Sequence, residues 1–107
     1  MLDAINFTGN RIILDCLSGG SITSDYDILS GAGISRSWVM IRSVAFYSST
    51  IGDEFHLKDE SGLYLAPPMV IQSASSSLLA LLLHSPAQGL VLSRMDGGLG
   101  IIYLDQS

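Results

Sequence analysis

Apolar and polar positions alternate along most of this chain, and the alternation predicts strands rather than helices. In segment 11–17, Ile12, Leu14 and Cys16 fall on one side and Ile13, Asp15 and Leu17 on the other, ahead of a turn at Ser18-Gly19-Gly20-Ser21. A weaker strand is expected over 22–29. It leads into Ser30-Gly31-Ala32-Gly33, whose glycines suit a loop and oppose a helix. The clearest pattern spans 37–65. Val39, Ile41, Val44 and Phe46 share a face if the two-residue period slips once at Arg42-Ser43, as a β-bulge causes. Phe55 and Leu57 then alternate with Glu54, His56 and Lys58. With Gly52-Asp53 between these two segments and Asp59-Glu60-Ser61-Gly62 after the second, the region reads as a β meander.

Ala66-Pro67-Pro68 must interrupt regular pairing, since neither proline has an N–H to donate. A short strand over 69–72 and a polar connection over 73–77 follow. Segment 78–84 admits two readings: Leu79, Leu81 and Leu83 alternate, yet Leu and Ala also favour helices. Its short length, the serines before it and Pro86 after it favour a buried strand. Segments 89–95 and 99–104, joined at Asp96-Gly97-Gly98, predict a closing hairpin. About eight short strands with no amphipathic helix predict an all-β fold, an antiparallel β-sandwich that is jelly-roll-like. An immunoglobulin-like order reads the same way from sequence. The domain organisation expected is a single β-sandwich over 11–107, preceded by an N-terminal arm over 1–10.

Composition narrows the picture. A chain of 107 residues buries roughly two-thirds of its unfolded surface, enough for one core without staples. Mean hydropathy is +0.43, but the longest unbroken apolar run, 78–83, has six residues and cannot cross a bilayer. No basic segment followed by an apolar stretch opens the chain, so synthesis inside a cell without a secretory signal is expected. The single cysteine, Cys16, excludes an internal disulfide and reads as a small buried hydrophobe. A net charge of −5 with five scattered Lys and Arg residues disfavours direct nucleic-acid binding. Charged residues make up only 14% of the chain, against about 25% in average domains. So thinly charged a surface is expected to be covered in part by copies of itself or by a larger assembly.

Candidate chemistry is sparse. His56 and His84 are the natural acid–base candidates, but each falls at an outward or interfacial strand position with no evident partner. No Gly-x-Ser-x-Gly elbow surrounds any serine. His56 with Asp59 and Glu60 falls short of the three or four convergent ligands of a zinc site. Asp25 with Asp27, or Asp53 with Glu54, lacks the spacing of a calcium loop. Gly31-Ala32-Gly33 lacks the third glycine of a dinucleotide fingerprint, and Asn6-Phe7-Thr8 reads as an accidental glycosylation match. Trp38, Tyr47, Tyr64 and Tyr103 suit packing or a subunit interface better than a sugar platform. The expectation is a non-enzymatic protein with no catalytic residues, no cofactor and no metal.

Arg42-Ser43-Val44-Ala45-Phe46-Tyr47-Ser48-Ser49, then Gly52-Asp53-Glu54-Phe55-His56-Leu57-Lys58-Asp59 and Gly62, form one pattern, and Gly97-Gly98-Leu99-Gly100-Ile101-Ile102-Tyr103-Leu104 looks like a glycine-rich closing hairpin. On these residues about two-thirds of the chain, from Trp38 onward, resembles small all-β virion proteins of tailed bacteriophages. The resemblance implies a jelly-roll-like subunit of a virion, made in the host cytoplasm. Its implied role is head decoration or cement, clamping major capsid subunits and associating with itself as a homotrimer, without contact to nucleic acid or membrane. A tail or portal-region component is the same-class alternative, and a carbohydrate-binding β-sandwich or a small metal-bearing jelly-roll enzyme are the rivals from other classes. Leu2, Ile5 and Phe7, on the expected arm, are the candidate contacts to a neighbour.

Overall fold

The computed structural model describes residues 1–72 and 77–105, with the backbone alone over 77–85. Among these, nine strands and one short helix follow in chain order: β1 (Ala4–Thr8), β2 (Arg11–Cys16), β3 (Tyr26–Asp27), α1 (Ile28–Ala32), β4 (Trp38–Ser48), β5 (Glu54–Lys58), β6 (Met69–Val70), β7 (Ser77–Gln88), β8 (Val91–Met95) and β9 (Gly98–Leu104). They form two antiparallel sheets, β1-β2-β9-β4-β7 and β3-β8-β5-β6, so the fold is the expected all-β sandwich.

The strand order is nested. Leaving β1 aside, β2 neighbours β9, β3 neighbours β8, β4 neighbours β7 and β5 neighbours β6, so the first strand partners the last and each later pair lies inside the one before. One long antiparallel ribbon is thus folded back on itself and wrapped into two layers, stitched by the β4–β9 and β5–β8 pairings. That wrap is the jelly roll.

The wrap corrects two local expectations. Segment 37–65 is not a meander, because β4 and β5 lie in opposite sheets, and the closing segments are not a hairpin, because β8 and β9 do as well. Alternation states which side chains face the core, and a strand next door satisfies it as well as a strand across the core. Sheets pack about 10 Å apart and a strand advances about 3.3 Å per residue, so the three steps from Met95 to Gly98 suffice to cross. The corner is specific: Asp96 N–H donates to Glu54 O at 3.2 Å, and Gly98 takes φ 80° with the Tyr47 carbonyl oxygen lying where a β-carbon would sit. A side chain there would meet both the left-handed backbone and that oxygen. Among the described residues a tight hairpin is made by β1–β2, turning at Gly9 with φ 62°.

Local irregularities follow the apolar pattern. The register shifts between Ile41 and Ser43, where the period slips, leaving Arg42 as the extra, exposed residue. A second bulge pairs His56 with Arg94 and Leu57 with Leu92, so Ser93 is extra. Only that insertion lets Leu92 and Met95, three positions apart, both point inward. Segment 78–84 resolves as strand within β7, at the edge of its sheet, where Pro86 is tolerated for want of an N–H. The polar connection expected over 73–77 lies outside the described residues except at Ser77.

Segment 22–33 differs from expectation. Ile22 makes an isolated bridge to Met95, and the residues expected as a glycine loop form α1. Asp27 caps it by accepting from Ser30 N–H at 3.2 Å, and Gly33 closes it at φ 77°. Burial of Ile28 and Leu29 outweighs the poor helix propensity of glycine, and Gly31 is required because the Tyr26 hydroxyl lies where a β-carbon would sit.

Residues 1–10, expected as an arm, pair with the body in this chain. Asp3 N–H donates to Asp15 O at 2.8 Å, and the Asp3 carboxylate accepts from Ser18 N–H at 2.7 Å and Gly20 N–H at 3.2 Å. Strand β1 then runs beside β2 from Ala4 to Thr8. Between the sheets, Phe46 of β4 and Phe55 of β5 stack with ring centroids 5.3 Å apart. Gly100 lies under the Phe55 ring, where an added β-carbon would stand 2.7 Å from it. Cys16 is buried as expected, and burial, followed by the nearby Asp3 charge, pushes its thiol above the ordinary value.

Candidate functional site

The outer face of the four-stranded sheet holds the polar chemistry. Alternation in β5 turns Phe55 and Leu57 inward and Glu54, His56 and Lys58 outward, while the β8 bulge aims Arg94 at the same face opposite His56. His56 Nε2 lies 2.7 Å from Glu54 Oε1, and Arg94 reaches Glu54 Oε2 at 3.4 Å and Asp96 Oδ1 at 2.9 Å. Lys58 Nζ lies 3.2 Å from Asp25 Oδ2. All ion pairs found among the described residues lie on this face or its margin.

A histidine with a carboxylate partner is half of a catalytic arrangement; the other half is a nucleophile or metal within reach of the ring. Here Ser93 Oγ donates to the His56 backbone carbonyl at 3.4 Å rather than to the ring. Tyr64 meets the ring edge-on with centroids 6.0 Å apart, and Glu54 is already shared with Arg94. The second candidate, His84, belongs to the part of β7 whose side chains lie outside the described residues. No group of three metal-ligating side chains converges among the described residues.

The acidic turns are likewise occupied. Asp53 Oδ2 accepts from Ser48 Oγ at 2.7 Å, and Asp96 Oδ2 accepts from Glu54 N–H at 2.9 Å, so both acids of this corner hold the crossings between sheets. Asp59 Oδ1 gathers Ser61 N–H, Ser61 Oγ–H and Leu63 N–H at 2.9, 2.7 and 3.0 Å. The Ser61 hydroxyl bond first, with backbone N–H bonds assisting, lowers its carboxyl below the ordinary range. Asp27 and Glu60 border a shallow cleft of about 360 Å³ with Arg36, Leu29, Ile34 and Leu90, but Asp27 is engaged as the α1 cap.

The four aromatic candidates all lie outside the core. Trp38 and Tyr64 are 51% and 55% exposed, and Leu63 beside Tyr64 is 69% exposed. Hydrogen bonds from Gly89 N–H to Ser37 O and from Glu60 N–H to Gln88 O bring the Trp38 strand and the 59–64 loop to one end of the sandwich. Tyr47 and Tyr103 face outward from the five-stranded sheet. Of the candidate contacts near the N-terminus, Leu2 and Ile5 pack against the chain's own core and Phe7 is left exposed at the edge strand.

Sequence reasoning missed the outer face of the five-stranded sheet. Ile13, Leu99, Ile101 and Tyr103 project there, on the side opposite Ile12, Gly100, Ile102 and Leu104. The signal was present in Ile12-Ile13-Leu14 and Ile101-Ile102-Tyr103-Leu104, which are apolar at both parities. A search for catalytic residue types passes over such runs. No protein-family model, curated protein or solved structure matches this chain.

Proposed function

We propose that this chain is a non-enzymatic structural subunit of a viral particle, a capsid decoration or cement protein that bridges major capsid subunits. The observation that supports it is the coincidence of a jelly-roll wrap with the virion-like strand and turn pattern from Trp38 onward. Fold alone does not carry function. The bonding of Asp53, Asp96 and Asp59 into turns and corners adds weight, since these acids hold the fold together rather than stand free for chemistry. In this reading the subunit is made in the host cytoplasm and resides in the virion, touching protein rather than nucleic acid or lipid.

A clamp that binds only the assembled lattice stabilises it by mass action, because each occupied site must be vacated before the lattice opens. Modest contacts suffice when several copies act together, since linked binding raises effective concentration. Phe7 on the edge strand and the Trp38, Leu63 and Tyr64 end supply exposed apolar contacts. A tail or portal-region position would use the same body. The test is to heat particles with and without the protein and score DNA release: a higher release temperature with the protein is expected, and equal temperatures overturn the cement reading. Exposure of Trp38 and Tyr64 at one end favours a second reading, a carbohydrate platform. Glycan binding abolished by Trp38→Ala or Tyr64→Ala would replace the first reading with this one.

A further inference from the structure

We propose that the outer face of the five-stranded sheet is a self-association surface, covered by a second copy of this chain. Register aligns Ile13 of β2 with Ile101 of β9 and Ile101 with Ala45 of β4. The flanking rows align Asp15, Leu99 and Tyr47, and Arg11, Tyr103 and Ser43. The centre is therefore apolar, built from Ile13, Ala45, Tyr47, Leu99, Ile101 and Tyr103. Ala45 is buried between its neighbours in the sheet, while Ile13, Leu99, Ile101 and Tyr103 are half-buried and lie outside the cluster packed between the sheets.

A water-facing antiparallel sheet face carries polar side chains at alternate positions. This face does not. The backbone register extends the sheet into β7, where positions 78, 80 and 82 stand opposite Tyr47, Ala45 and Ser43. Sequence 78–83 is apolar at every position, the signature of a strand covered on both faces, yet β7 lies at a sheet edge.

Charge and area identify the occupant. The chain carries −5, so copies repel except where charge is absent, and between Asp15 at one end of β2 and Arg11 with Arg42 at the other this face carries none. A copy laid across it in the opposite sense places Asp15 against Arg11, a self-complementary rim around an apolar centre. Strands of 5, 6, 7, 11 and 12 residues present a sheet of roughly 650 Å² in plan, near the ~800 Å² per partner of a standard interface.

The test uses the full chain and reads mass by sedimentation across micromolar concentrations. A dimer is expected, the two-fold pair that lays one face on the other; a ring that closes through the β7 edge leaves the face bare and counts against the assignment. Ile101→Glu would bury an unpaired carboxylate and raise the dissociation constant by about a hundredfold or more. Leu99→Thr, a milder change should Ile101→Glu fail to fold, weakens assembly less, and Arg94→Ala on the opposite sheet leaves it unchanged. A monomeric wild type overturns the inference, as does an oligomer that keeps its affinity in folded Ile101→Glu or Leu99→Thr. Particle attachment is scored separately: loss of self-association with attachment intact leaves the cement reading standing, and the reverse leaves this one.

Discussion

The two outer faces of this sandwich are made by the same alternation and end up with opposite chemistry. On the four-stranded sheet, Glu54, His56, Lys58 and Arg94 project outward and find partners within the chain. On the five-stranded sheet, the equivalent positions are Ile13, Leu99, Ile101 and Tyr103, which are half-buried and leave apolar surface in contact with water. The first face is finished by solvent and internal ion pairs. The second is stable in water only at the cost of wetting apolar surface, so it points away from the monomer. Charge is also spent unevenly: the ion pairs sit where they contribute least to folding, on a wet face, and the patch best suited to association is left free of them.

The largest expected effect lies beneath both faces. Phe46 and Phe55 come from different sheets and stack on each other, so Phe55→Ala should cost about 3–5 kcal/mol, measured from the denaturant midpoint. Trp38, the single tryptophan, sits in β4, and its fluorescence should lose structure together with far-ultraviolet circular dichroism. Two separate transitions would show that the faces belong to independent units and break the comparison.

Next in size is the response to concentration. Association stabilises the folded state by mass action, so Tm of the wild type should rise with protein concentration, while Ile101→Glu should melt at a Tm that does not move. Calorimetry over a hundredfold dilution series checks both.

The polar face should be far less sensitive. Arg94 bridges Glu54 and Asp96, but its side chain is nearly half exposed, so Arg94→Ala should change stability little, and less still in high salt. A larger loss would mean that this face holds the sheet together rather than merely keeping it wet.

The smallest effect concerns acid. Asp59 has its carboxyl value lowered in the fold by the Ser61 hydroxyl and the loop N–H groups. Its stabilising contribution is therefore complete above the ordinary value of 3.8 and lost as pH falls through the lowered one. Asp59→Asn should flatten the acid limb of the stability profile by lowering stability slightly at neutral pH and leaving it unchanged in acid, where the wild-type carboxyl is protonated. An unaltered acid limb would show that the 59–63 loop bonds do not persist in solution.

Legibility followed periodicity. The inward sets of β2, β4 and β5 could be read directly, and so could the bulge at Arg42, because an apolar period that slips by one has a single backbone remedy. The α1 turn could not, since Gly31 and Gly33 argue locally against a helix and only burial of Ile28 and Leu29, with Tyr26 against Gly31, reverses the balance. The exposed Trp38 end and the apolar outer face were legible only as residue types. Their exposure depends on which elements cover them, and that is a property of the assembled layers.

The sequence by itself determined that this chain is an antiparallel sandwich and which side chains face its interior, because side-chain parity is a local consequence of strand geometry. Tertiary structure decided which strand lies beside which. An Asp-Gly corner such as Asp96-Gly97 serves a hairpin or a crossing between sheets, and the choice rests on contacts made far away in sequence: Gly98 against Tyr47, Asp96 on Glu54, and the pairing of β2 with β9 across the whole chain. The same long-range choices set an apolar face outward on one side and an ion-paired face on the other, a distinction that no window of neighbouring residues contains.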